Sequence, residues 1–183
     1  MHRDKIWGTK MAMVVVDPQR KFSLPTPDWE RTRDEAVANI NSYARIFRER
    51  GIPVFFIFFD GESHVPYKGT DGDEWLLGIE TDPTDIVVHK SHMSCFKETV
   101  LEKELKSRGF DCILLTGMLT EFCVAGTYFG AIDRDINAYL GKGALIAYSP
   151  EGNPASEVLC NTLEKDVLVK FLDGKQESFG DIS

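Results

Sequence analysis

Two uninterrupted apolar runs, Met11-Ala-Met-Val-Val-Val16 and Val54-Phe-Phe-Ile-Phe-Phe59, constrain this 183-residue chain more than any other feature. Each is six residues long, dominated by β-branched, aromatic or methionine side chains, and offers no polar residue to water on either side of a pleat. Such a strand must be covered on both faces, as a central strand of a parallel sheet is. Six residues is also far short of the roughly 18 needed to cross a bilayer. No membrane association is therefore expected. Between the runs, after the turn Leu24-Pro-Thr-Pro27, apolar residues at Ala36, Val37, Ile40, Tyr43, Ala44 and Phe47 keep helical spacing, and Gly51 supplies a stop.

The alternation continues along the chain. Asp85-Ile-Val-Val-His89 reads as a third strand ending at Lys90. A helix is expected from about Cys95 to Arg108, with Val100, Leu101 and Leu105 as its apolar stripe and Gly109 as its cap. Asp111 to Thr116 reads as a fourth strand, Gly117 to Thr120 as a turn, and Glu121 to Arg134 as a helix carrying Cys123 near its start. Ile136 to Leu140 reads as strand five and Asp166 to Phe171 as strand six, with a helix around Ala155 to Leu163 between them. Strands alternating with helices predict a three-layer α/β/α architecture around a mostly parallel, six-stranded, Rossmann-like sheet, with residues 1–183 forming one domain. The polar, glycine-containing stretch from Asp60 to Gly78 is long for a connection, which marks it as functional or mobile.

Charge narrows the partners. Lys and Arg number 21 against 29 Asp and Glu, a net charge of −8, and the basic residues are scattered. Nucleic acid and anionic lipid are therefore not expected as partners. The N-terminal MHRDKIWGTK is polar and has no apolar core of a signal peptide, so a cytoplasmic location is expected. Cys95, Cys112, Cys123 and Cys160 are far apart and form no CxxC pair, which disfavours a zinc knuckle or thioredoxin-type site and leaves free thiols in a reducing compartment.

Right-handed crossovers place every strand's C-terminal end on one edge of such a sheet, where ligands bind. Three chemically able side chains end or follow three of the strands: Asp17, Lys90 and Cys123. Each has a plain structural reading, as a turn cap before Pro18, a solvated lysine and a small packing residue. Placed together they form an activated nucleophile with an adjacent base, because a nearby ammonium and a helix N-terminus favour thiolate and a carboxylate takes the thiol proton.

The chain resembles the isochorismatase-like superfamily of cysteine hydrolases, which includes nicotinamidases and carbamoylsarcosine amidohydrolases. The resemblance runs from Val14-Val-Val-Asp17-Pro-Gln19 with Phe22, through Lys90 and Phe96, to Thr116-Gly-Met-Leu-Thr-Glu-Phe-Cys-Val124 with Thr127. It implies that Asp17 is the general base, Lys90 the cation that steadies negative charge, and Cys123 the nucleophile. It also implies a cis peptide at Met118-Leu119 and an oxyanion hole made by the N–H groups of Leu119 and Cys123. The expected activity is hydrolysis of a C–N bond in a small amide, ureido or carbamoyl compound. Two other readings stay open: a catalytically silent or redox-active member of the same fold, and a hydrolase of a non-amide, isochorismate-like substrate.

The chain departs from the family's pattern in places. Nicotinamidases carry Asp-x-His after the second strand to hold a metal, whereas this chain reads Asp60-Gly-Glu-Ser-His64, with Glu62 at the histidine position. Asp60, Glu62, His64, Asp71 and Asp73 could collect a divalent ion, but acidic loops are more often solvated, so neither metal nor cofactor is expected. Gly141-Lys-Gly-Ala144 stands where relatives keep an Asp-Ala pair. His89 and His92 flank Lys90 and read as structural residues. Phe22, Phe59, Tyr67 and Trp75 are the aromatics expected to reach the substrate, and the resemblance further implies a homo-oligomer, dimer or tetramer.

Overall fold

Successive residues of the first apolar run enter two different cores. Ala12, Val14 and Val16 of β1 (Met11–Val16) join one hydrophobic cluster, and Met11, Met13 and Val15 join another on the opposite face. This is the two-sided burial that the unbroken apolar sequence requires. The computed structural model describes residues 8–24, 26–63, 65 and 67–174. β1 is followed by β2 (Val54–Phe59), β3 (Ile86–Lys90), β4 (Cys112–Met118), β5 (Asn137–Ile146) and β6 (Thr162–Leu163), all parallel and ordered β3-β2-β1-β4-β5-β6.

Helices α1 (Pro27–Arg48) and α5 (Lys165–Leu172) cover one face, through Ile40, Tyr43, Phe47, Leu168 and Phe171. Helices α2 (Leu101–Ser107) and α3 (Ala125–Ile132) cover the other, through Leu101, Leu105, Tyr128 and Ala131. A short α4 (Gly152–Leu159) lies between β5 and β6. Helix α1 starts earlier than its apolar spacing indicates, because Pro27 suits a first helical position and the Thr26 hydroxyl accepts the Trp29 N–H at 3.3 Å. Among the described residues no helix is long and apolar enough to cross a membrane.

Three sequence expectations are corrected. The segment from Asp166 to Phe171 is helix α5, and the sixth strand is the two residues Thr162–Leu163. Val167 and Val169 read as strand-forming, but Leu168 and Phe171, three apart, bury one helical face in the hydrophobic cluster that α1 also enters, and tertiary packing overrides local propensity. The helix expected from Cys95 is regular only over Leu101–Ser107. Before it, the Thr99 hydroxyl donates to the Cys95 carbonyl and accepts from the Leu101 N–H, so the chain turns locally.

Strand β5 extends past Leu140 to Ile146, and its register against β4 jumps from Leu115↔Leu140 to Gly117↔Leu145. The extra residues form a bulge around Lys142 and Gly143. Gly143 has φ +72°, and its carbonyl accepts from the Asn39 side chain. A Cβ on Gly141 would stand 2.8 Å from Thr116 Cγ2, which accounts for the glycine there.

Candidate active site

The strand order reverses between β1 and β4. The chain leaves β1 towards β2 on one side and leaves β4 towards β5 on the other, opening a crevice at their C-terminal ends. Asp17 follows β1 directly and has φ +44°, a left-handed conformation that Asp tolerates better than most residues. Its carbonyl accepts the Gln19 N–H at 2.7 Å, closing a tight turn over Pro18. Lys90 ends β3, and its Nζ lies 2.7 Å from Asp17 Oδ2 with both side chains withdrawn from solvent. The same ammonium donates to the carbonyls of His92 and Met93 at 2.9 and 3.2 Å.

Cys123 sits in a single π-helical turn, Thr120–Val124, that joins β4 to α3. Its half-buried thiol interacts with both Asp17 and Lys90. The fold thus brings Asp17, Lys90 and Cys123 together. The Met118–Leu119 peptide is cis, and the Leu119 carbonyl accepts from the N–H groups of Phe122 and Val124.

Burial dominates the electrostatics. It raises the Asp17 carboxyl to about 6 although the Lys90 ammonium beside it pulls the other way. It pushes the Cys123 thiol up to about 12, with the Asp17 carboxylate adding to the shift and Lys90 opposing it. For Lys90, burial acts downward, but its anionic neighbours, Asp17 foremost, hold it above its ordinary value. The helix-end argument from sequence favoured thiolate. In the folded chain desolvation outweighs it and holds the thiol above its ordinary value.

Several residues that hold this arrangement were not assigned roles from sequence. The Thr127 hydroxyl donates to the Cys123 carbonyl at 2.6 Å and accepts from the Cys95 N–H at 3.0 Å, tying the π turn to the segment after β3. The Glu121 carboxylate accepts the N–H groups of Tyr148 and Ser149, both at 2.8 Å. Gln19 pairs its amide with the Phe59 backbone, accepting at 2.8 Å and donating at 3.3 Å. Lys21 gives its ammonium to the carbonyls of Phe59 and Gly61 and to Asp73. Hydrophilic residues within five positions of the end of β1 were the available signal for Gln19 and Lys21.

The thiol opens into a cavity of about 510 Å3, walled by Phe22, Phe59, Val65, Leu119, Phe122 and Tyr148 and edged by Glu62, Ser63, Ser91 and Met93. Phe22 and Phe59 reach it as expected, their rings 5.7 Å apart. Tyr67 and Trp75 do not line it. The Tyr67 hydroxyl donates to Asp71, and Trp75 packs on Phe56 and Phe58, where the segment from Asp71 to Leu76 runs back along Pro18 to Lys21. Phe122 and Tyr148 take their places, 6.1 Å apart edge to face.

Three of the acidic residues proposed as metal ligands in the loop after β2 have partners, while Glu62 edges the cavity. Asp60 contacts His89, Asp71 pairs with Arg20, and Asp73 pairs with Lys21. His92 contacts Glu98, so both histidines beside Lys90 have carboxylate partners. His64 lies outside the described residues. Among the described residues no three His, Cys, Asp or Glu side chains are grouped to hold a metal ion.

The isochorismatase domain family model matches residues 11–159, and the chain belongs to that family. A probable isochorismatase of Pseudomonas chlororaphis is 26% identical over 155 residues, covering 78% of this chain and 74% of its own. The ureidoacrylate amidohydrolase RutB of Methylorubrum extorquens is 33% identical over 86 residues, 43% of this chain and 35% of its own. The structure of N-carbamoylsarcosine amidase from Thermoplasma acidophilum superposes with a TM-score of 0.70 at 26% identity, covering 85% of this chain and 95% of that one. The chain is thus a member of a hydrolase family whose relatives include amidohydrolases.

Proposed function

We propose that this chain is a cysteine-dependent hydrolase that cleaves a C–N bond of a small amide, ureido or carbamoyl compound through a thioester. The observation that carries the reading is the Cys123 thiol at the cavity wall with the buried Asp17–Lys90 pair in contact with it. Amidohydrolase and amidase relatives support the bond type.

Asp17, ionised at neutral pH, is the only carboxylate in contact with the thiol among the described residues, and it serves as the base. With the thiol near 12 and the carboxyl near 6, proton transfer in the resting site is uphill. It proceeds as sulfur bonds to the carbonyl carbon and charge moves onto the substrate oxygen. The N–H groups of Leu119 and Cys123 receive that oxyanion, in the manner of two-donor sites where each donor contributes about 3 kcal/mol. Protonated Asp17 then gives its proton to the departing nitrogen, and the amine leaves as the thioester forms. Water, deprotonated by Asp17, attacks the thioester, releasing the acid and returning the proton to the thiol. Lys90 keeps the carboxylate ionised between these transfers.

Ammonia release from a panel of primary amides, ureido acids and carbamoyl compounds tests this, with wild type beside Cys123→Ala. Release by the wild type alone is the expected outcome. Equal release by both proteins removes Cys123 as the nucleophile.

A further inference from the structure

The charge of the cavity is one-sided. Among the described residues that line it, Glu62 is the only acidic side chain and none is Lys, Arg or His. Two lysines lie close by, but each has three oxygen partners for its three N–H donors. Lys90 faces Asp17 and the carbonyls of His92 and Met93. Lys21 faces Asp73 and the carbonyls of Phe59 and Gly61. A carboxylate on a substrate would therefore find no uncommitted cation in the described wall, and it would meet Glu62.

The remaining wall fits the opposite charge. Phe122 and Tyr148 line the cavity as an edge-to-face pair, and aromatic rings attract cations most strongly where water is partly excluded, whereas the Phe59 ring already lies beneath the Lys90 and Lys21 ammoniums, 4.9 and 5.6 Å from its centroid. Glu62 stands exposed at the edge of the cavity and forms no hydrogen bond or ion pair with another described residue. An acid that repels one charge and pairs the other sets specificity through both effects at once.

We propose that Glu62 and the Phe122–Tyr148 wall select an amide bearing a cationic group, an ammonium or amidinium, and turn away amides bearing a carboxylate. The proposal rests on the C–N hydrolase reading of the same site and names its substrate class. Glu62 acts here as a specificity residue and takes no part in bond making.

Three probes of similar length separate the charges: 4-aminobutanamide, pentanamide and succinamic acid. Binding of each to Cys123→Ala is measured by calorimetry, with and without Glu62→Gln, and ammonia release by wild type, Cys123→Ala, Glu62→Gln and Glu62→Lys is followed in parallel. The cation is expected to bind and react best and the anion worst. Glu62→Gln should cut the cation's advantage over the neutral amide by about two- to fivefold, the effect of losing one exposed ion pair, and Glu62→Lys should reverse the order. Equal binding of the three probes, no binding of any, or an order that Glu62→Gln leaves intact overturns the proposal. Glu62-dependent preference for the cation in binding, with no ammonia released from any probe, upholds the proposal and sinks the hydrolase reading instead. Cys123-dependent release without charge preference does the reverse.

Discussion

The Lys90 ammonium lies 2.7 Å from the Asp17 carboxylate with neither side chain open to solvent, and the pair joins the C-terminal end of β3 to that of β1 across the intervening β2. Two buried charges persist in such a place only as partners. Lys90→Met should therefore destabilise the chain by about 3 kcal/mol in urea unfolding, since it strands a buried carboxylate and frees the His92 and Met93 carbonyls. Its activity at pH 7 should fall about 10²–10³-fold, because loss of the cation raises the Asp17 carboxyl further and leaves less of the base form. Wild-type stability in Lys90→Met would show that the contact does not matter to the fold.

The same carboxyl gives the enzyme a pH signature. Burial raises Asp17 to about 6, so kcat/KM should climb with pH along a limb centred near 6 as the base form appears. Stability should run the other way. The folded chain binds this proton more tightly than the unfolded chain, whose carboxyl has the ordinary value of 3.8, so the contribution is full below that value and is lost as pH rises through about 6. Asp17→Asn should flatten the stability profile between about pH 4 and 6 and remove the activity at every pH. Thermal unfolding across that range, with both proteins in the same buffers, reads the difference directly.

Gly117 stands in β4 immediately before the Met118–Leu119 peptide, with φ +97°. A Cβ there would meet the Val16 carbonyl oxygen at 2.2 Å, backbone that has no rotamer with which to give way. Gly117→Ala should abolish folding or lower the melting temperature by well over 10 °C, a loss of several kcal/mol. Gly51→Ala is the control. Its φ of +67° is also left-handed, but nothing stands within 4 Å of the added carbon, so it should cost only about 1–2 kcal/mol. Similar losses in the two variants would mean that conformation alone, and not the closeness of β1 to β4, requires Gly117.

The parts of this fold that could be read from sequence are those where one physical requirement dominates. An apolar run such as Met11–Val16 has no alternative to a doubly covered strand, and β1, β2 and β4 lie where that rule puts them. Strand ends then located Asp17 and Lys90. Where two requirements compete the reading failed. Val167 and Val169 favoured a strand that the burial of Leu168 and Phe171 overrode. The bulge at Lys142–Gly143 broke the alternation of β5, which concealed its continuation to Ile146. With the end of β5 misplaced by six residues, the rule that found Asp17 could not find Tyr148, which follows the true end and lines the cavity. Tyr67 and Trp75 were favoured for their place in a long loop, but that loop doubles back along Pro18 to Lys21 and carries them away from the thiol.

Tyr148 depends on Glu121 for its position. One carboxylate oxygen accepts the Tyr148 N–H and the other the Ser149 N–H, so the segment after β5 hangs from the turn that holds Cys123. Gly152 fits against the same carboxylate, where even a methyl group would overlap Glu121 Oε1 at 2.1 Å. Glu121→Ala removes both acceptors and opens space beneath the segment. The thiol, Asp17 and Lys90 keep their own contacts, so the chemical step should change little while substrate binding weakens. KM is expected to rise about tenfold with kcat within about threefold of wild type, and stability to fall by about 1–3 kcal/mol for two lost charge-assisted hydrogen bonds. Glu121→Gln keeps one acceptor and should recover part of the KM. A large fall in kcat with KM unchanged would instead place Glu121 among the groups that set the geometry of Cys123 itself.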